Sequence, residues 1–233
     1  MNEKRGIIIG LLVTVGLISF LSSPLFRLSR IEVTGLKILE QEEVVTSSFR
    51  ESYEGKNIFL LNREQMSKKI LDNPYVSEVI INRKLPSAIR VQVEERKPVG
   101  KINNNGNYLV FDHQGVILEE CSQNTRFDVP EFRGLGYSFS GEKLDFSPEL
   151  SQLVTALRQV DFKRRLQLTV LETEDNDYYG KMEGDIDIFL GGEERLERKF
   201  AILNSTINKI NSEQLAVDYI DLQSVSRPVL RTK

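Results

Sequence analysis

From Gly6 to Phe26 the chain carries no charged residue, and the run is dominated by Ile7, Ile8, Ile9, Leu11, Leu12, Val13, Val15, Leu17, Ile18, Phe20 and Leu21. A bilayer's hydrocarbon core is about 30 Å thick and takes roughly 20 helical residues, so the run matches one crossing. Lys4 and Arg5 precede it; Arg27 and Arg30 follow. A cleavable secretory signal would have a shorter apolar run, about 7–15 residues, and a small-x-small cleavage site. Here Ser22 has Phe20 two positions before it and Ser23 has Leu21, which favours an uncleaved anchor. A buried core helix would be amphipathic, whereas this one is apolar all round. The flanking charges balance and do not orient the helix. Residues 1–5 are too short a head to hold a domain, and long domains cross largely regardless of charge. The expected topology therefore leaves the amino terminus in the cytoplasm and the bulk of the chain outside.

About 205 residues follow the anchor, enough for two modest domains with their own cores. Lys plus Arg number 31 against 34 Asp plus Glu, a formal net charge of −3. That balance offers no basic stripe of the kind nucleic acid requires, so no nucleic-acid partner is expected. Cys121 is the single cysteine, which excludes an internal disulfide.

The first segment, residues 27–98, reads as a small α+β domain. Ile31 and Val33 alternate with Glu32 and Thr34, and Gly35 ends the strand. Glu40 to Phe49 places Val44, Val45 and Phe49 on one helical face. Asn62 is an N-cap with Gln65 in the capping-box position; Met66, Ile70 and Leu71 form the apolar face behind it, and Asn73-Pro74 stops that helix. Val76 to Asn82 reads as a strand, Pro86-Ser87 as a turn, and Ile89, Val91 and Val93 as the inward side of a third strand. The order is β-α-α-β-β, with each helix able to cover one face of a three-stranded sheet.

In residues 99–233, Lys101–Asn103 and Tyr108–Phe111 flank Asn104-Asn105-Gly106 as a hairpin, because Asn-Gly suits a turn with positive φ. Asp112-His113-Gln114-Gly115 makes the next turn and Val116–Leu118 the next strand. Phe127 to Gly136 reads as a loop or edge around Pro130. Ser147-Pro148 opens a helix with Leu150, Leu153, Val154 and Leu157 on one face. Leu166–Leu171 and the alternating Ile186, Ile188 and Leu190 give two further strands, with Gly191-Gly192 as a break. Leu196, Phe200, Leu203 and Ile207 mark a second amphipathic helix, and Tyr219–Leu222 opens a last strand. The fold class is α+β: one membrane helix, a β-α-α-β-β domain, then a mainly antiparallel β domain with amphipathic helices.

Chemistry is scarce. His113 and Cys121 could formally make a base–thiol pair, but His113 lies in a turn and no orienting acid is indicated. Two such groups also fall short of the ligands a zinc site needs. Starting a calcium-loop register at Asp175 places Asp177 and Gly180 correctly, but Tyr179 and Ile186 occupy ligand positions; an acidic hairpin tip accounts for Glu172, Glu174, Asp175 and Asp177. No phosphate loop or serine elbow occurs. The expectation is a protein that is not an enzyme, has no cofactor or metal, and binds other proteins. A strand from Tyr219 continuing past Pro228 would lie at a sheet edge, where unpaired backbone groups can accept a partner strand, and Pro228 suits an edge. Spacing alone leaves an ordinary closing strand equally open.

Several strings carry a resemblance. In the first domain they are Ile31-Glu32-Val33-Thr34-Gly35, Asn73-Pro74-Tyr75-Val76 leading to Val79, Arg83-Lys84-Leu85-Pro86, and Val91-Gln92-Val93-Glu94-Glu95-Arg96-Lys97-Pro98-Val99. In the second they are Leu109-Val110-Phe111-Asp112 with Gly115, Val129-Pro130-Glu131-Phe132 with Gly134, Ile188-Phe189-Leu190-Gly191, Lys199 with Leu203, and Tyr219-Ile220-Asp221-Leu222. The first domain resembles a POTRA domain, and the whole chain after residue 27 resembles the FtsQ/DivIB family of bacterial cell-division proteins. Leu85 departs mildly from the aromatic residue common there, and Gln223-Ser224 stand where many members carry an arginine and an aromatic residue. The resemblance implies a divisome scaffold of the cytoplasmic membrane at the division septum, linking its assembly to septal peptidoglycan synthesis. It further implies partners of the FtsB/DivIC and FtsL type. By position, their contact zone is Tyr219, Ile220, Asp221, Leu222, Gln223, Ser224, Val225, Ser226, Arg227, Pro228, Val229 and Leu230. The alternatives are a POTRA-containing envelope transport or assembly factor, and an extracytoplasmic cell-wall enzyme that would need Cys121 or His113.

Overall fold

The computed structural model describes residues 2–36, 49–122, 128–141 and 143–232. They fall into two compact units, Met1–Arg96 and Lys97–Lys233.

In the first unit, helix α1 spans Asn2–Leu21, and its Lys4–Leu21 stretch is long and apolar enough to cross a membrane. It stops short of the expected Phe26. Ser23 precedes Pro24 and takes extended backbone (φ −65°, ψ 156°), because the proline ring disfavours helical geometry in the residue before it. Pro24–Phe26 then form a 3-10 turn, and Phe26 is buried against the Phe59 ring at 5.0 Å. The apolar run is thus shared between the membrane helix and the core of the unit beyond it.

Strands β1 (Arg30–Thr34), β2 (Val76–Lys84) and β3 (Ala88–Glu95) form a sheet in the order β1-β3-β2, with β1 parallel and β2 antiparallel to β3. Ile31, Ile81, Ile89, Val91 and Val93 are buried on one face. The opposite face carries Glu32, paired with Lys84 (3.1 Å) and Arg90 (3.3 Å), and an exposed Ile80. Among the described residues, this sheet buries apolar side chains on that one face. Helix α2 (Arg63–Leu71) begins as expected: the Asn62 side chain accepts from the Glu64 and Gln65 N–H groups, satisfying two of the donors a helix start leaves free. Met66 and Ile70 are buried, whereas Leu71 is exposed, since the helix ends there at Asp72. The expected helix from Glu40 lies outside the described residues up to 48. Residues 49–53 are helical, with Phe49 buried against Tyr53 at 4.9 Å, and Ser52 is joined to Lys69 of α2.

In the second unit, the strands are β4 (Pro98–Asn104), β5 (Asn107–Asp112), β6 (Ile117–Cys121), β7 (Glu131–Arg133), β8 (Tyr137–Ser140), β9 (Lys143–Phe146), β10 (Leu168–Glu174), β11 (Asp177–Met182), β12 (Ile186–Gly191), β13 (Val217–Asp221) and β14 (Val229–Thr232). Nine of them make one sheet in the order β14-β13-β12-β11-β10-β7-β4-β5-β6, and β8 pairs with β9 separately. Asn105 and Gly106 hold φ of 53° and 95° in the β4–β5 turn, the geometry expected of Asn-Gly. Helix α3 (Pro148–Leu157), capped by Ser147, and helix α5 (Leu196–Glu213) bury Leu150, Leu153, Leu157, Phe200, Leu203 and Ile207 in one core with Phe132, Leu171, Ile188 and Ile220.

Two expectations fail here. Glu131–Arg133 is not a loop or edge: β7 lies mid-sheet, parallel to β10 and β4. Gly100 permits this, since a Cβ there would come within 2.0 Å of the Phe132 ring. The strand expected from Leu166 begins at Leu168, because Phe162–Arg165 form a short helix α4 with Leu166 as its C-cap.

Candidate functional site

At one end of the nine-stranded sheet, β12 pairs in parallel with β13, through Ile188↔Ile220 and Phe189↔Asp221. Strand β13 ends at Asp221 and does not continue past Pro228 as expected. Leu222 N–H donates to the Phe189 carbonyl at 2.8 Å, the Asp221 carboxylate accepts from the Gln223 N–H at 2.8 Å, and Arg227 N–H donates to Ser224 at 3.1 Å. These bonds turn the chain over Gln223–Arg227, and Val229–Thr232 return antiparallel as β14, with Asp221↔Val229, Ile220↔Leu230 and Tyr219↔Arg231. The outermost strand is therefore β14, and Tyr219–Asp221 have ladder partners on both sides.

This sorts the expected contact residues. Ile220 and Leu222 are buried in the core. Tyr219, Asp221 and Val225 are half-buried; Gln223, Ser224, Ser226, Arg227, Pro228 and Val229 are exposed. Leu230 is partly buried against the core. Alternate residues of β14 face opposite ways. Val229 and Arg231 share the open sheet face with Tyr219 and Asp221. There Arg231 lies 5.4 Å over the Tyr219 ring, and Tyr179 and Phe189 stack at 5.2 Å. A concavity of about 390 Å³ on this face is lined by Glu172, Tyr179, Lys181, Asp187, Phe189 and Tyr219. Burial, then the neighbouring Asp221 carboxylate, pushes the Tyr219 hydroxyl above its usual range. The hydrogen bond to Asp218 raises the Arg231 guanidinium. The tyrosine thus stays neutral and the arginine charged.

Leu230 points the other way, into a groove of about 420 Å³ whose far wall is α5, with Arg198, Ala201, Ile202, Ser205 and Lys209. The Arg198 and Lys209 side chains have no ion pair among the described residues. Sequence reasoning missed this groove. Its trace was there in the small and mixed residues of a second α5 stripe, at spacings of three and four, beside the stripe of Phe200, Leu203 and Ile207.

The other chemical candidates are dispersed. Cys121 pairs with Tyr108 at one end of the β5–β6 hairpin, while His113 lies in the turn at the other end, five residues or about 17 Å along the strand at the usual rise per residue. Burial and then Glu119 push the Cys121 thiol up, away from the thiolate a nucleophile needs. Asp175 and Asn176, at φ 51° and 68°, form the β10–β11 hairpin turn. Among the described residues no three His, Cys, Asp or Glu come together as a metal set. Lys199, buried in α5, donates to the Gly192 carbonyl at 2.7 Å, and burial lowers its pKa; it holds the β12–α5 connection.

Residues 26–96 match the family model "POTRA domain, FtsQ-type". The cell-division protein DivIB of Clostridium acetobutylicum is 26% identical over 90% of this chain and 84% of its own length. The cell-division protein FtsQ of Geobacter sp. strain M21 is 26% identical over 90% of this chain and 77% of its own. FtsQ of Corynebacterium glutamicum is 27% identical over 90% and 92%. All three likenesses run through both units as well as the POTRA segment, and with the apolar helix at its start this is a membrane-anchored chain with an FtsQ-type POTRA domain that is similar over most of its length to the FtsQ and DivIB cell-division proteins of bacteria.

Proposed function

We propose that the chain is a non-catalytic scaffold of the division machinery that captures a partner protein by strand addition on the outer edge of β14. The amino terminus lies in the cytoplasm, the second unit and the part of the first that follows α1 lie outside the membrane, and the protein works at the septum, linking division-site assembly to peptidoglycan synthesis. The partners are small membrane division proteins of the FtsB/DivIC and FtsL type.

The observation that carries this reading is the outer side of β14, which pairs with no other strand among the described residues. Its free N–H and C=O groups can continue the ladder into a partner strand. An added strand would set alternate side chains on the two faces: one set beside Val229, Arg231 and Tyr219, the other over Leu230 and the α5 groove. Arg198 and Lys209 suit acidic residues flanking an apolar one there. The contact zone is thus refined within Tyr219–Leu230 to the turn and β14, extended to Arg231 and Thr232. Ile220 and Leu222 act as the core beneath it.

The test is capture of the purified FtsB/DivIC-type ectodomain by the full chain and by a chain lacking Val229 onward. Loss of capture with the first unit still folded is expected. Undiminished capture refutes strand addition at this edge.

A further inference from the structure

The loop before α2 folds back onto the end of α1. Asn57 Nδ2 donates to the Leu21 carbonyl at 2.6 Å, one of the acceptors that a helix end leaves without a backbone partner. Such groups are costly at the margin of a bilayer. The Phe59 ring packs on Phe26, and Phe26 meets Phe20 of α1 edge-on at 5.2 Å. From β2, Arg83 Nη2 donates to the carbonyls of Phe59 (3.4 Å) and Leu61 (2.7 Å), and Ser29 N–H donates to Ser87 in the β2–β3 turn at 2.9 Å. The last turn of α1, loop 57–61 and turn 85–87 therefore converge at one end of the first unit.

That end displays large apolar side chains to solvent. Leu60 is 84% exposed, Leu85 60% and Leu25 54%, with Phe59 partly exposed beside them. The display is not slack structure, because Ile58 and Leu61 on either side of the exposed pair are buried and the loop backbone is bonded to Arg83. Single exposed leucines are ordinary. A convergent set at the exit of a membrane helix, ringed by exposed Arg27, Lys56 and Arg63, has the composition of an interfacial surface: apolar below, basic at the rim.

We propose that this end of the first unit is seated in the interface of the same bilayer that α1 crosses. Leu25, Leu60 and Leu85 enter the upper acyl chains, and Arg27 and Lys56 meet lipid phosphates. The unit is then held upright on the membrane and does not swing on a tether. The inference rests on the membrane anchor and is independent of strand capture at β14.

The chain contains no tryptophan, so single Trp reporters are unambiguous. Full-length Leu60→Trp and Leu85→Trp are reconstituted into phosphatidylcholine/phosphatidylglycerol vesicles carrying brominated acyl chains. Leu71→Trp, exposed at the opposite end of α2, is the reference. The expected result is several-fold stronger bromolipid quenching and a blue-shifted emission at positions 60 and 85, with iodide quenching mainly at position 71. If circular dichroism finds one reporter misfolded, the other decides. Equal iodide access at all three positions overturns the proposal, and is the result expected if this end is instead covered by a protein partner missing from the vesicles.

Discussion

The two edges of the nine-stranded sheet are built to opposite ends. At β6, the strand start is closed by β9: Val116 bridges Lys143, and the Leu144 N–H donates to the Gly115 carbonyl at 2.8 Å. Glu119 and Glu120 then place carboxylates on the strand, Glu120 accepting from Asn107 at 3.0 Å. Covering and charging are the usual means by which an edge is kept from pairing. At β14 no strand covers the outer side among the described residues. Val229 is 52% exposed, Leu230 lines a groove, and the one charged side chain, Arg231, is drawn to Asp218 on β13 at 3.1 Å. An edge left open opposite a guarded one is what the proposed strand capture at β14 requires.

The largest effect expected is from deleting Val229 onward, which removes the ladder a partner strand would join. Capture should weaken at least about 100-fold, or ~2.7 kcal/mol, in an affinity titration. Next is Gly115→Ala on the guarded edge. Gly115 has φ +78°, and a Cβ there would sit 2.1 Å from the Leu144 carbonyl. The strain should cost about 1–3 kcal/mol of stability in denaturant unfolding while leaving capture intact. Weakened capture would mean that the two edges are coupled. A smaller loss, roughly 10-fold or about 1.4 kcal/mol, is expected for Val229→Asp, with Glu120→Lys on β6 neutral in the same titration. Smallest is a kinetic effect at Cys121. Burial and Glu119 raise its pKa, so the thiolate appears at higher pH than in a free thiol. Its alkylation rate plotted against pH should rise later than that of a small-molecule thiol, and a curve at or below the ordinary cysteine range would contradict the packing at this edge.

How far the sequence could be read tracks how much of each element is periodic. Helices α3 and α5 were legible because each repeats apolar residues over several turns, and Ser147 and Asn62 cap their helices as written. The β4–β5 turn was legible because Asn-Gly has few other uses. What escaped was short or set by distant partners. Strand β7 has only Phe132 facing inward, and it lies mid-sheet only because Gly100 leaves room for that ring. In β11, Gly180 interrupts the inward set of Tyr178 and Met182, where a Cβ would approach Leu171 to 3.1 Å, so alternation is invisible. The reversal between β13 and β14 hangs on Asp221 holding the Gln223 N–H, a bond between neighbours that no hydrophobic pattern announces. The proposed contact zone was therefore placed by position alone, and its geometry as turn plus returning strand was not foreseen.

The most direct measurement is amide hydrogen exchange across the second unit, with and without the FtsB/DivIC-type ectodomain. On binding, the amides of Val229–Thr232 should become protected while those of Ile117–Cys121 do not change. Unchanged exchange at β14, or protection appearing at β6 in its place, would contradict strand capture at β14.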